Sequence, residues 1–250
     1  MSITRKGFLQ VAGASLLALA GEKLVGSISS PEPGKPSRPT RWGMAVDFQK
    51  CRWDKGCDRC LDACRQAHNV PIIPDAKHEV KWVWKEREPN VFPQQSLLLP
   101  AAIQSQPVPV LCNHCAQPAC TRVCPTEATW KREDGVVMMD WHRCIGCRYC
   151  MAACPYGARS FNWSDPHPYL AQSSADFPTR AKGVVEKCNL CEERLAQGER
   201  PACVEACAEK ALVFGNLEDP ESEVRRVLAS RYSLQRRPEL GTGPSIYYLI

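Results

Sequence analysis

The alternation of apolar and polar residues is clearest over residues 79–86, EVKWVWKE. Val80, Trp82 and Trp84 fall on one face of a period-two pattern, which predicts a β-strand. The other face carries Lys81, Val83 and Lys85. A strand of this kind packs its apolar face on a core. If the tryptophans stayed exposed, they would instead indicate a docking surface for a partner.

Two further patterns predict a helix and a turn. Residues 221–232, ESEVRRVLASRY, follow the start signal Asp219-Pro220 and predict a surface helix whose arginines are solvated. Earlier in the chain, Asp134-Gly135 can turn a hairpin between two short strands. The predicted elements are short and mixed, which indicates an α+β protein.

The N-terminus has a basic start followed by an apolar stretch over residues 8–20. With the small tripeptide Ala18-Leu19-Ala20, this predicts an export signal over residues 1–26. The signal resembles a twin-arginine signal, with Lys6 where the second arginine is expected. The stretch is too short to span a bilayer comfortably. An amphipathic or buried N-terminal helix is the alternative.

Composition and charge fit a globular protein after a linker. Residues 27–41 are rich in proline and serine and predict an extended spacer, so we expect the folded part to begin near Arg41. The chain has 250 residues, 44% of them hydrophobic, and a net charge of +5. Residues 1–41 supply +4 of that charge. The nearly neutral remainder argues against nucleic acid as a partner.

The candidate chemistry lies in sixteen cysteines, which form four groups with none outside them. The groups are Cys51, Cys57, Cys60 and Cys64; Cys112, Cys115, Cys120 and Cys124; Cys144, Cys147, Cys150 and Cys154; Cys188, Cys191, Cys203 and Cys207. Export would favour disulfides, but thiols this close in sequence rarely bridge without strain. Zinc knuckles use two separated pairs, and the second and third groups have too many thiols for one. Zinc is kept for one atypical group at most.

The third group has the spacing of a bacterial ferredoxin. Residues 144–155 match C-x2-C-x2-C-x3-C-P at every position, which predicts a 4Fe-4S cluster. Three thiolates on one tight loop can bind three irons while backbone N–H groups point at the sulfurs. We expect the fourth cysteine to start a helix and reach another cluster, with the following proline at that helix start. The second group lengthens one gap to four residues but keeps the final spacing and the proline.

The outer groups are looser, C-x5-C-x2-C-x3-C and C-x2-C-x11-C-x3-C, and lack the proline. Because they keep the final spacing, they lead to the hypothesis that inner groups pair with each other and outer groups with each other. The predicted fold is α+β, with two pseudo-symmetric ferredoxin-like halves of short hairpins and helices around four 4Fe-4S clusters. Residues 42–111 and 183–250 would form the outer half, and residues 112–182 the inner half.

Other cofactors lack their signals in this sequence. No C-x2-C precedes a histidine, so covalent haem is not indicated, and no glycine-rich nucleotide loop is present. The five histidines, His68, His78, His114, His142 and His167, form no ligand pattern. His114 and His142 stand next to cluster cysteines or close to them. We expect them to hydrogen-bond near the clusters rather than bind iron.

The order of the four groups, with CPYGARSF after the third and ERPACVEACAEKALVFGNLEDP through the fourth, resembles the four-cluster iron–sulfur subunits of the dimethyl sulfoxide reductase family (NrfC-, PsrB- and DmsB-like). The resemblance covers residues 42–250. It implies an electron-transfer chain without a substrate pocket, and the same nested pairing. The implied ligand sets are cluster A, Cys51, Cys57, Cys60 and Cys207; cluster B, Cys64, Cys188, Cys191 and Cys203; cluster C, Cys112, Cys115, Cys120 and Cys154; cluster D, Cys124, Cys144, Cys147 and Cys150.

A narrower resemblance rests on CLDACRQAHNVP and KHEVKWVWKE. These segments look like the exported DsrO-type subunits of DsrMKJOP membrane complexes in sulfate-reducing and sulfur-oxidising microbes. This implies an NrfD-type, quinone-reactive membrane subunit (DsrP-like), an exported multihaem cytochrome c (DsrJ-like) and the other subunits of the complex as partners, at the periplasmic side of a membrane.

The expected function is therefore a non-catalytic electron relay between a quinone site and a second redox protein. Two alternatives stay open at this point. One is the same relay beside a molybdopterin catalytic subunit of polysulfide, thiosulfate, dimethyl sulfoxide or formate type. The other is a zinc-binding interaction module.

Overall fold

The first strand, β1 (Trp42–Asp47), begins directly after Arg41. A computed structural model describes residues 39–52, 55–99, 101–104 and 107–250. The predicted export signal and most of the linker lie outside the described residues. The described residues belong to one unit that extends to Ile250.

β1 lies inside a four-stranded sheet in the order β6-β1-β8-β7. It runs antiparallel to β6 (Leu212–Asn216) and parallel to β8 (Ile246–Leu249), and β7 (Ser233–Leu234) pairs antiparallel with β8. Met44 and Val46 pack in the main core, whereas Ala45 packs in a smaller cluster on the opposite face. Apolar residues therefore continue along β1 because both of its faces are covered.

A second sheet pairs β2 (Val83–Arg87) with β3 (Pro107–Leu111) in antiparallel register. The predicted burial pattern of residues 79–86 is confirmed: Val80, Trp82 and Trp84 are buried. The strand is shorter than predicted, because it begins only at Val83. The docking role that exposed tryptophans would have had is excluded, since Trp82 and Trp84 are 1% and 6% exposed. They contribute to the core instead.

In the part of the chain that the structure describes, most helices are single turns, and four of the helices contain cysteines. These are α1 (Arg59–His68), α4 (Ala119–Arg122), α5 (Tyr149–Ala152) and α7 (Ala202–Glu205). The others are α2 (Glu88–Val91), α3 (Ala101–Gln104), α6 (Glu192–Leu195) and α8 (Glu223–Ser230). In the described part of the chain, no helix is both long and apolar enough to cross a bilayer.

The predicted surface helix is α8, which starts after Ser222, three residues later than the Asp219 start signal. Arg225 and Arg226 are exposed, as predicted. Arg231, just beyond the helix, differs from the prediction: its guanidinium forms an ion pair with the buried carboxylate of Asp47. The pair ties the end of α8 to the end of β1.

The predicted hairpin at Asp134-Gly135 is only a tight turn. Gly135 has a φ of +84°, and one isolated antiparallel bridge joins Lys131 to Val137. Flanking strands are absent among these described residues. The ladder of this region is instead β4 (Ser160–Phe161) with β5 (Val185–Glu186), on either side of the predicted boundary at residues 182/183. The division into two halves stays a prediction.

Candidate metal centre

The cysteine groups meet across the sequence. One cavity of about 640 Å³ is lined by Cys51, Cys57 and Cys60 of the first group and by Cys207 of the fourth. Another cavity is lined by Cys112, Cys115 and Cys120 of the second group and by Cys154 of the third. We call these cavities site A and site C.

The other two sites follow from neighbouring thiols. Site B contains Cys64 with Cys188, Cys191 and Cys203: burial, and then the charges of those three thiols, raise the pKa of Cys64 well above its usual value. In the group that we call site D, Cys124, Cys144 and Cys150 pack in one cluster, and Cys147 is exposed at the surface.

The cysteine loops share one backbone feature. The residue directly before the second cysteine of each group has a positive φ: Gly56 (76°), His114 (41°), Gly146 (71°) and Leu190 (62°). Successive N–H groups around such left-handed residues form concave surfaces that favour anions. All four loops therefore have a backbone suited to a negatively charged cluster, whether or not the residue is glycine.

Backbone donors reach several sulfurs directly. The Leu190 N–H donates to Cys188 Sγ at 3.4 Å, the Ala202 N–H to Cys191 Sγ at 3.4 Å and the Ala211 N–H to Cys207 Sγ at 3.3 Å. Such bonds stabilise thiolate charge and tune a bound cluster.

The expected helix start at the fourth cysteine is wrong. In every group the third cysteine is the second residue of a helix: Cys60 in α1, Cys120 in α4, Cys150 in α5 and Cys203 in α7. The fourth cysteine follows that helix, or in α1 lies inside it as Cys64. The prolines after the second and third groups therefore follow a helix end, where they prevent its continuation.

Burial raises the pKa of several of these thiols, so that they ionise only where a nearby positive charge or a metal stabilises the thiolate. Burial raises the pKa of Cys115 and of Cys188 to about 12. Burial opposes ionisation of Cys112 too, but His114 and Lys187 bring its pKa down to about 5. No disulfide joins any of the sixteen cysteines, all of which the structure describes.

A buried ion pair lies at the end of α1. Arg180 and Glu186 are 0% exposed at their side chains, and Arg180 Nη2 lies 2.6 Å from Glu186 Oε2. Trp82 Nε1 donates to the same oxygen at 2.8 Å, and Arg180 Nη2 donates to the Asn69 carbonyl at 2.8 Å. Because each charge has several partners, the network can hold the end of α1 against β5 without an unpaired buried charge.

Of the two histidines expected to hydrogen-bond near the clusters, His114 does so, whereas His142 lies at the surface. His114 accepts a hydrogen bond from the Val137 N–H at 3.0 Å and lies beside Cys112, while His142 is exposed. No pattern in the sequence indicated that His68 is buried beside site B. Its Nε2 lies 2.8 Å from Glu193 Oε1, and one ligand atom each of His68, Cys191 and Glu193 lie within 4.8 Å of one another.

The sequence also provided no indication that two cationic side chains, those of Lys187 and Arg159, are buried near the cysteine sites. Each is a charged residue next to or near a cysteine motif, a position where exposure is the usual state. The only local signal is that Lys187 directly precedes Cys188.

The donor set suits iron and sulfur. Site C places four thiols against Val137, Pro118, Ala158 and Tyr156. Arg159 and Asn113 also line this site. Clustered thiols in a cavity with many apolar walls, with N–H donors on the sulfurs, are suited to hold a 4Fe-4S cluster. The fold and these sites define a ferredoxin-type iron–sulfur protein.

The comparisons with known proteins specify the class further. A family model described as a 4Fe-4S dicluster domain matches residues 103–171 and again 168–217. The chain is 40% identical to the Hdr-like menaquinol oxidoreductase iron-sulfur subunit 1 of Archaeoglobus fulgidus, over 98% of this chain and 97% of the relative.

Two further relatives cover most of the chain. It is 36% identical to the menaquinone reductase iron-sulfur cluster-binding subunit of Nitratidesulfovibrio vulgaris, over 84% of this chain and 88% of that one. It is 38% identical to the B subunit of polysulfide reductase from Wolinella succinogenes, over 83% of this chain and 93% of that subunit.

The chain belongs to the family of ferredoxin-type iron–sulfur subunits of the dimethyl sulfoxide reductase, PsrB and NrfC type. It is an electron-transfer protein with four 4Fe-4S clusters, as its sixteen cysteines predict. Zinc is thereby excluded as the metal of these sites.

Proposed function

We propose that this chain is the electron relay of a membrane-bound quinone oxidoreductase complex. The observation that carries the proposal is that the four thiol sites neighbour one another in the order A, B, C and D. We call this succession of sites the row. The names of the relatives, a menaquinol oxidoreductase subunit and a menaquinone reductase subunit, support the quinone. A bound 4Fe-4S cluster supplies one-electron transfer. The protein binds it, shields it from water and sets its potential.

The proposed ligand sets are the nested ones, with four cysteines at each of sites A to D. Neighbouring sites then share a boundary. Cys60 lies near Cys64 and Cys203, which joins site A to site B. Cys112 affects the pKa of Cys188, which joins B to C, and Cys120 affects that of Cys150, which joins C to D.

The two ends of the row are the proposed partner contacts. Around site D, Ile145 is 67% and Tyr149 63% exposed, and Cys147 is also exposed. Exposed apolar side chains beside a redox site suit a protein interface. Site A has its own cavity at the other end of the row.

This interface can be tested by substitution. We expect I145S/Y149S to weaken assembly with the partner at least tenfold while the iron content stays unchanged. The matched control is Tyr232→Ser, because Tyr232 is 85% exposed but belongs to no cysteine site. Pull-down of the tagged chain from solubilised membranes measures the effect. Equal recovery of partners with both variants would remove site D as a contact.

The finer proposal is a DsrO-type subunit of a DsrMKJOP-like complex in sulfate or sulfite metabolism. Its partners would be an NrfD-type, DsrP-like membrane subunit and a DsrJ-like multihaem cytochrome c. The two segments CLDACRQAHNVP and KHEVKWVWKE support it. In this proposal the chain makes and breaks no substrate bonds and is exported, with residues 1–26 as the signal.

Export has its own experiment. Changing Arg5 and Lys6 together to glutamine should retain the cluster-loaded chain in the cytoplasm, because the basic start directs twin-arginine export. Cell fractionation with an immunoblot measures this. A variant that still reaches the periplasm would contradict the proposed signal.

The subunit content of the native complex tests the function itself. After mild solubilisation, the tagged chain should co-purify with an integral membrane quinone-reactive subunit and with a multihaem cytochrome c. The second candidate is the same relay beside a molybdopterin catalytic subunit, which the polysulfide reductase relative favours. A molybdenum-containing subunit in the purified complex would overturn the first proposal in favour of the second.

A further inference from the structure

Two buried cations flank site C. Lys187 is 1% exposed and Arg159 5% exposed. Lysine and arginine are almost never buried to this extent unless a partner compensates their charge. Among the described residues, no carboxylate forms an ion pair with either one. This distinguishes them from Arg180, whose partner is Glu186.

Lys187 lies at the boundary of sites B and C. Its Nζ donates to the Cys188 carbonyl at 2.8 Å and to the Val137 carbonyl. Burial lowers the pKa of Lys187, and the charge of Arg159 lowers it further, while the charges of the thiols Cys112, Cys188 and Cys120 oppose that shift. Two of these three thiols belong to site C. The two carbonyls fix the position of the ammonium group, and Val137 lines the cavity of site C, so this buried charge lies beside that site.

Arg159 lies at the boundary of sites C and D. Its Nη2 donates to Cys120 Sγ at 3.0 Å and to Thr129 Oγ1 at 2.8 Å, and its Nη1 lies 3.6 Å from Met139 Sδ. The charges of Cys120, Cys150 and Cys112 raise the pKa of Arg159 against the effect of burial. The guanidinium thus contacts a sulfur of site C at 3.0 Å and also hydrogen-bonds Cys150 of site D.

The neighbouring sites have different surroundings. At site B, Glu193 adds negative charge near Cys188 and Cys191. At site D, Cys147 is exposed, so water screens the charges there. Site C alone among these three neighbours lies between both buried cations.

We propose that Lys187 and Arg159 hold the midpoint potential of the cluster at site C above those of its neighbours at sites B and D. This rests on the proposed relay and specifies where in it an electron resides. Reduction adds one electron, and therefore one negative charge, to a cluster and its thiolates. The neighbouring cluster that supplies the electron is oxidised by the same amount. A buried cation stabilises the added charge because the low local dielectric screens it little.

The test is an EPR-monitored redox titration of the cluster-loaded chain. Lys187→Met and Arg159→Met should each lower the midpoint potential of the same cluster, the one at site C. The ratio of reduced to oxidised cluster should fall about tenfold, which corresponds to about 59 mV for a one-electron couple. Lys187→Met should have a smaller effect on a second cluster at site B. Lys187→Arg and Arg159→Lys should restore most of the potential.

The control is Arg225→Met, which removes an exposed cation on α8 and should leave all four potentials unchanged. The iron content of each variant shows whether its clusters have assembled. If a methionine variant does not assemble, the charge-conserving variants Lys187→Arg and Arg159→Lys still test the proposal, because they should retain the high potential. Unchanged potentials in both methionine variants would overturn it. So would an equal drop in the charge-conserving variants, because that would indicate packing rather than charge. Since the titration uses the chain without partners, failure of the proposed complex would leave this result intact.

Discussion

At the scale of single residues, the left-handed position before the second cysteine is the feature that the four groups share. Two groups use glycine there, and two use His114 and Leu190. A non-glycine residue in this conformation costs about 1 kcal/mol or more. The surrounding contacts must hold these residues in place, and the cluster loop gains oriented N–H groups in return.

Gly146 has no room for a side chain and adopts a left-handed backbone conformation. A Cβ there would lie 2.3 Å from the Gly183 carbonyl oxygen, and the φ of Gly146 is +71°. We expect Gly146→Ala to lower stability by about 2–4 kcal/mol, from backbone strain together with the clash. Thermal denaturation of the cluster-loaded chain, followed by its visible absorbance, measures the loss.

The matched control is Gly157→Ala, whose φ of +64° is similar but whose Cβ would meet nothing within 4 Å. It should lose only the strain, about 1 kcal/mol. Equal losses in the two variants would mean that the contact with Gly183 does not constrain the loop.

The fourth cysteines give a second prediction at this scale. Cys64→Ser should impair the cluster at site B, which uses three cysteines of the fourth group, whereas Cys207→Ser should impair the cluster at site A. The reason is that each fourth thiol lies with the opposite outer group. EPR spectra of the two variants distinguish the clusters. Loss of the first group's cluster in Cys64→Ser would disprove the nested ligand sets.

At the scale of elements, short helices position the sulfurs. Each begins one residue before the third cysteine and, in three groups, ends just before the fourth. A single turn is too short to be stable alone, so these helices depend on tertiary packing and on the bound cluster. α8 is different, because it is longer than the single-turn helices and contains no cysteine.

α8 is held by one fully buried side chain, Val224, which packs with Ala45, Val213, Leu217 and Leu249. Val224→Ala should destabilise the chain by about 1–3 kcal/mol, because it leaves a cavity against the sheet. Arg225→Ala is the control on the same helix and should change stability by less than about 0.5 kcal/mol. Thermal denaturation compares the two, and similar effects would mean that Val224 does not anchor the helix.

At the scale of the whole molecule, the clusters are part of the core. Ten of the cysteines are among, or pack against, the residues of the main core: Cys60, Cys64, Cys112, Cys188, Cys203, Cys51, Cys57, Cys115, Cys154 and Cys207. Without iron, these thiols would remain close together in an apolar interior. The metal therefore contributes to folding as well as to electron transfer.

Metal content and removal test this dependence. A fully assembled chain should contain about sixteen irons. Chelation of the iron should abolish most of the near-UV circular dichroism and increase proteolysis of residues 42–250, because ten of the cysteines belong to or pack against the main core. A preparation that keeps its near-UV signal without iron would contradict a structural role for the clusters.

The sequence determined the cofactor, because ligand type and spacing within one loop are local properties. It also indicated the buried face of residues 79–86 and the helix near residue 224, since periodicity is local too. It misplaced the helix starts, because the proline after the fourth cysteine is compatible with a helix that begins there and with one that has just ended. It also did not reveal that Lys187 and Arg159 are buried.

Only the tertiary structure decided which cysteine groups meet and which charges lie between them. Cys207 reaches the first group, and Lys187 donates to the Val137 carbonyl beside site C, through contacts between segments far apart in the chain. Such contacts depend on how all elements pack together, and no spacing within one segment encodes them. A charged residue beside a motif has the same local sequence whether it is exposed or enclosed, and only packing around it removes the water.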